Sequence, residues 1–166
     1  MAMTSSGRAT LTLPADEQIL ITREFDAPRH LVYRAFTTPE LVKRWWHANR
    51  GEVTVVEIDL RAGGKWRQVM VADDGMEVGF HGEYLEIVPD ERIVSTEIYE
   101  GLPEGVSEED AATVNTATFT EADGRTTLTL LIQAKSKLSR DAIIESGMEA
   151  GLQDALDLLE QTARSI

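Results

Sequence analysis

The alternation of apolar and polar positions divides the chain into a helical front, a long run of strands and a helical end. Ile19, Ile21 and Phe25 share one parity of a stretch closed by Asp26-Ala27-Pro28, which predicts a strand over 19–25. Leu31, Val32, Ala35 and Phe36 then recur at helical spacing. A short helix is expected from about 28 to 37, with Asp26 as N-cap and Pro28 in the first turn, where its missing N–H would be unpaired anyway. Thr38-Pro39-Glu40 repeats the start signal and predicts a second short helix running to about Trp45. Strands are expected over 53–60, 65–71, 76–88, 92–99, 112–120 and 126–134, separated by short turns rich in Gly, Pro and Asp. The last element, 139–164, reads as one helix capped by Ser139, with Ile144, Met148, Leu152, Ala155 and Leu159 near one stripe. Residues 1–16 read as a flexible tail, in which Thr10-Leu11-Thr12-Leu13 alternates as a weak edge strand would until Pro14 stops it. The single domain is then 17–166.

Strands that follow one another through short turns form an antiparallel sheet, and a sheet burying one face needs a cover. The only element long enough is the C-terminal helix, which at about 1.5 Å per residue spans roughly 37 Å. The expected fold class is α+β: a curved antiparallel sheet of about six to seven strands wrapped round a long C-terminal helix, with two short helices between the first and second strands. Such a curl leaves a gap between helix and sheet unless large side chains fill it.

Composition narrows the function. The 166 residues carry 29 acids and 16 bases, a net charge of −13, and the bases do not cluster beyond Lys43-Arg44 and Arg61/Lys65/Arg67. A field of that sign repels phosphate backbones, so no nucleic-acid partner is expected. The chain has no cysteine, which removes disulfides, thiolate catalysis and cysteine-held metals together. No apolar run approaches the ~20 residues that span a bilayer, so no membrane insertion is expected. The polar Met1–Gly7 start lacks a secretory core, which fits a cytoplasmic protein.

Candidate ligand contacts follow from the gap. Trp45 and Trp46 are adjacent, about 100° apart on a helix, so at most one faces fully inward and closes a cavity mouth; the plainer reading is that both seal the small helices against the sheet. If Trp66 points inward, the period of two takes Gln68 and Met70 with it. In the next strand Val78, Phe80, Tyr84 and Glu86 share one parity, and His81, Glu83, Leu85 and Ile87 the other. A bulge at Gly82 would exchange them, so the internal set stays open. Met148, Gly151 and Leu152 face the same space from the helix, and Gly147 and Gly151, four apart, would admit a ligand or simply pack closely. Tyr84 with Glu86, or His81 with Glu83, could hold a ligand hydroxyl or pass a proton, although rim hydrogen bonding is the plainer reading. His30, His47 and His81 form no i, i+4 pair, so no metal site is expected; no phosphate loop, dinucleotide fingerprint or nucleophile elbow implies a cofactor. The acidic stretch 100–111 reads as a solvated loop, and long loops of this kind can roof a cavity mouth.

Several segments resemble a known family in order. They are Arg23-Glu24-Phe25-Asp26-Ala27-Pro28, Thr38-Pro39-Glu40-Leu41 with Trp45-Trp46, Asp59-Leu60-Arg61-Ala62-Gly63-Gly64-Lys65-Trp66, Gly82-Glu83-Tyr84-Leu85-Glu86-Ile87-Val88-Pro89 with Arg92-Ile93-Val94, Thr126-Thr127-Leu128-Thr129, and Ser146–Gly151. Together they are similar to the START-like (SRPBCC) superfamily, in its branch of proteins like the activator of the heat-shock-protein-90 ATPase, over about 17–164. The resemblance implies a helix-grip fold. It leaves function open, because one fold hosts many sites.

Three readings remain. The first is a binder of a small apolar, lipid-like or aromatic molecule, using Trp45, Trp46, Trp66, Gln68, Met70, Phe80, Tyr84, Glu86, Met148, Gly151 and Leu152, with no catalytic residue. Burying about 300 Å² of apolar ligand surface gains roughly 7 kcal/mol gross, enough for micromolar affinity. The second is a cyclase or aromatase-type enzyme with Tyr84, Glu86 or His81 moving protons. The third, a chaperone-docking module, ranks last, because only about 16 residues precede the first firm strand while family co-chaperones commonly carry a further N-terminal domain. A homodimer is left open, since no heptad or apolar patch specifies one.

Overall fold

Ile19, Ile21 and Phe25 lie buried on one face of β2 (Gln18–Phe25), the consequence their alternation predicts. The computed structural model describes residues 8–166, so the first seven residues of the expected 1–16 tail lie outside them. At 10–12 the edge strand forms: β1 (Thr10–Thr12) pairs antiparallel with Leu20–Thr22.

After β2 come α1 (Arg29–Thr37) and α2 (Pro39–Val42). Asp26 does not cap α1; Pro28 occupies the N-cap position and no side chain caps it. The Asp26 carboxylate is drawn instead to Arg125 and Arg164, at 3.8 and 3.7 Å. The second helix stops short of Trp45, and the chain goes on in turns to the left-handed pair Ala48 and Asn49.

The meander follows as β3 (Gly51–Ile58), β4 (Lys65–Ala72), β5 (Glu77–Val88), β6 (Arg92–Tyr99), β7 (Thr113–Ala122) and β8 (Arg125–Gln133), with α3 (Glu108–Ala111) inside the acidic connection. All pairings are antiparallel, and the order β1-β2-β8-β7-β6-β5-β4-β3 makes one eight-stranded sheet. That is one or two strands more than expected, β1 being an addition at the edge.

The C-terminal element is two helices, α4 (Lys137–Glu145) and α5 (Met148–Arg164). Gly147 breaks the expected single rod with φ +83, a conformation glycine adopts without a Cβ penalty. The cap also moves: Ser136 Oγ accepts the Ser139 N–H at 3.0 Å, three residues before the predicted start.

Leu156, Leu159 and Ala163 of α5 join one core with Ile19, Phe25, Phe119 and Leu128 of the sheet. Tyr33 and Phe36 of α1 set their edges on Phe119 at 5.4 and 5.6 Å. This is the helix-grip arrangement, with the grip tight at the β2–β8–β7 side.

Candidate functional site

Directly paired residues of an antiparallel ladder share a face, so the register traces which side chains look toward α5. From the core residues of β8 and β7 the face continues through Ile93, Ser95, Glu97 and Tyr99 of β6 to Val78, Phe80, Gly82 and Tyr84 of β5, and on to Trp66, Gln68 and Met70 of β4. Burial changes along this path. Ile19, Phe25, Phe119 and Leu128 are at most 1% exposed. Gln68, Met70, Val78, Phe80 and Tyr99 are only half-buried, although four of these five are apolar or aromatic. Met148, Gly151 and Leu152, in the first turns of α5, are half-buried as well, and Met148 and Leu152 touch the core from that side. Gly151 sits one turn before the buried Ala155, yet a Cβ there would meet nothing within 4 Å. The gradient leaves the β4–β6 end of this face, the cleft, less covered than the β2–β8–β7 end.

The predicted tryptophans divide. Trp45 is buried away from the cleft: it stacks on Phe36 with ring centroids 5.6 Å apart, and its indole N–H donates to the Ala35 carbonyl at 2.9 Å. It seals α1. Trp46 is the inward member, edge-on to Phe80 at 5.9 Å, and Phe80 in turn meets Tyr99 at 5.2 Å. Trp66 is 8% exposed and donates its indole N–H to the Thr96 carbonyl at 3.1 Å, so it forms part of the wall.

Tyr84 is buried on the cleft face, and burial followed by the neighbouring Tyr33 pushes its phenol above the ordinary range, which suits hydrogen bonding and not proton transfer. Glu86 does not reach the cleft. The register shifts between Tyr84 and Glu86, so the bulge lies at Leu85 and not at Gly82. It turns Ile87 inward, opposite Ile93, and Glu86 outward, where it accepts from Arg92 Nε at 2.8 Å. Tyr84 and Glu86 are thus on opposite faces. His81 and Glu83 are outside too: His81 Nδ1 lies 2.8 Å from Glu100, which Arg67 also holds at 2.9 Å, and Glu83 takes Lys65 at 2.7 Å. Arg67 and then His81 keep the Glu100 carboxyl below its usual range. A shallow depression of about 470 Å³ is lined by Glu57, Lys65, Arg67 and His81 together with Trp66 and Gly82. Among the described residues no three His, Asp or Glu side chains gather as a metal site would require.

One cleft residue escaped the sequence reading. Glu97 pairs with Thr113 across β6–β7, and burial lifts its carboxyl to about 7 against a hydrogen bond from Asn115 that pulls it down. Asn115 Oδ1 accepts the Thr113 hydroxyl at 2.9 Å, which leaves its amide N–H₂ for Glu97. The available signal was a lone acid in the middle of Arg92–Tyr99, on the parity of Ile93.

Glu97 should give a measurable pH dependence. Between about 4.5 and 7 the folded state binds more protons at this carboxyl than the unfolded chain, so its contribution to stability falls as pH rises through that window. Glu97→Gln lacks this loss. Urea unfolding at pH 5 and 8 is expected to show the variant gaining about 1–3 kcal/mol on the parent between the two values. An offset independent of pH would contradict the assignment.

Residues 26–164 match the family model described as Activator of Hsp90 ATPase homolog 1-like protein. Among solved structures, a protein from Rhodobacter sphaeroides superposes with a TM-score of 0.86 at 22% identity, covering 96% of this chain and 100% of its own. One from Mycobacterium smegmatis gives 0.81 at 22%, over 92% and 95% of the two chains. One from Chromobacterium violaceum gives 0.72 at 28%, over 87% and 95%. A search of curated proteins finds no match. No helix among the described residues is long and apolar enough to cross a membrane.

Proposed function

The chain belongs to the family of Activator of Hsp90 ATPase homolog 1-like proteins, and from that premise we propose that it takes up a small apolar molecule, flat and aromatic in part, between α5 and the β4–β6 side of the sheet. The observation that carries this reading is the open space at Gly151. A helical position one turn from a buried alanine, facing a sheet, normally finds a neighbour in van der Waals contact; this one finds none within 4 Å. The inward face of β4 and β5 carries Met70, Val78 and Phe80, apolar side chains left half in water. A ligand covering them would remove that exposure, at roughly 25 cal/mol per Å².

Filling the space tests it. Gly151→Phe should lower affinity for a cleft probe such as naphthalene at least tenfold. Gly151→Ala should leave binding within about twofold and add roughly 0.5–1 kcal/mol of stability, as alanine for a helical glycine does. Isothermal titration and urea unfolding read the two effects. Equal binding by all three proteins would sink the proposal.

The cyclase-type reading has one observation in its favour, a carboxyl near neutrality on the cleft face. It takes second place because the other proton-transfer candidates do not converge on Glu97: Glu86 and His81 are outside, and Tyr84 is raised.

A further inference from the structure

Resting on the cleft reading, we propose that Glu97, Asn115 and Thr113 are the polar anchor of the site, holding the hydroxyl of an uncharged phenol or aryl alcohol and turning away aromatic carboxylates.

The argument starts from the charges on the inward face. By register, the strands place three charged residues there: Arg23, Glu97 and Glu121. Arg23 is committed to Asp157 and Glu160 at 3.0 and 3.2 Å. Glu121 stands at the far end of β7 and accepts the Arg29 N–H at 2.8 Å. Glu97 makes no ion pair among the described residues. Among the described residues the strands of the inward face therefore offer no free cation to a ligand carboxylate, and Glu97 is itself an acid. In a chain of net charge −13 nothing offsets that repulsion at longer range.

The same cluster suits a hydroxyl. A carboxylate accepts about four hydrogen bonds, and Asn115 stands beside this one with its amide N–H₂ uncommitted to Thr113. The Thr113 hydroxyl fixes the amide by occupying Oδ1, so the anchor is held before a ligand arrives. The register sets Gly82 across from Glu97, and with no side chain there the Trp66 indole closes over the strand to the Thr96 carbonyl, walling the site beside the carboxyl. Tyr99 is two residues on along β6, roughly 6–7 Å away on the same face. A ring lying along Phe80 and Tyr99 would bring its substituent to Glu97. Ionised Glu97 accepts the ligand O–H in a charge-assisted bond, and protonated Glu97 donates to the same oxygen.

Three probes of one skeleton separate the terms: naphthalene, 2-naphthol and 2-naphthoate, titrated into the full chain at neutral pH by calorimetry and amide NMR. The parent is expected to bind 2-naphthol at least tenfold more tightly than naphthalene or 2-naphthoate. Glu97→Gln should bring 2-naphthol within threefold of naphthalene. The parent's own selectivity needs no variant, so a poorly folded variant does not remove the test. Naphthoate binding as well as naphthol, or a naphthol preference that survives Glu97→Gln, overturns the anchor. If naphthalene binds without any naphthol preference, the anchor falls and the cleft stands; if no probe binds, both fall.

Discussion

Replacing Glu160 with alanine should cost about 3–5 kcal/mol, because it leaves a core guanidinium with only the half-exposed Asp157 to offset it. Arg23 lies on the inward face of β2, 1% exposed, between Ile21 and Phe25. Its counter-charges both come from α5: Glu160, itself 2% exposed, and Asp157. Glu160 reaches further, its second oxygen accepting the Asp26 N–H at 2.8 Å where the chain leaves β2. The Phe25 ring adds a weak contact, 4.9 Å from the guanidinium carbon. One carboxylate thus joins helix, strand and the connection to α1. For a domain of this size the loss corresponds to a melting temperature lower by roughly 10 °C. The charge itself is dispensable by the same reasoning: Arg23→Met with Glu160→Leu should recover most of the stability, as apolar replacements of buried pairs often do. Urea unfolding of parent, single and double variants measures this. A single-variant loss below about 1 kcal/mol would mean that Asp157 alone neutralises Arg23.

That clamp holds the helix the cleft depends on, and it shows how unevenly the molecule can be read from its residues. Alternation placed Ile19, Ile21 and Phe25 correctly, and the meander with a helical cover follows from turn residues and strand parity. Arg23 shares that parity but reads as a surface charge until its partners, more than 130 positions away, are brought to it. The break at Gly147 is hidden by an apolar stripe, Ile144, Met148 and Leu152, that runs through it. Adjacency lets at most one of the two tryptophans face fully inward, and the turn that ends α2 decides that it is Trp46. The bulge at Leu85 carries no turn residue to announce it, and one extra residue is enough to send Glu86 outward and Ile87 inward. Glu97 was visible only as an acid in a strand. Its environment is made by Thr113 and Asn115, from a strand that the acidic loop separates from it.

Gly82→Val should be the most damaging substitution in the sheet, costing about 3 kcal/mol or more. A Cβ at this position would stand 1.9 Å from the Thr96 carbonyl oxygen and 2.8 Å from the Trp66 indole nitrogen. Neither neighbour can yield cheaply: one is backbone, and the other donates to that same carbonyl across β5. The ladder is already opened here, where the Glu83 N–H donates to the Thr96 hydroxyl at 2.9 Å. A side chain at 82 must push Trp66 off its carbonyl or drive β5 from β6. Either way the tryptophan becomes wetter, so fluorescence should shift to the red as the urea midpoint falls. The same displacement would disturb the wall beside Glu97, so any folded fraction should lose the 2-naphthol preference. Gly151→Ala is the internal contrast, a glycine with nothing near it, expected to stabilise. If Gly82→Val matched the parent in midpoint and emission, the packing of Trp66 against β6, and with it the wall of the cleft, would have to be redrawn.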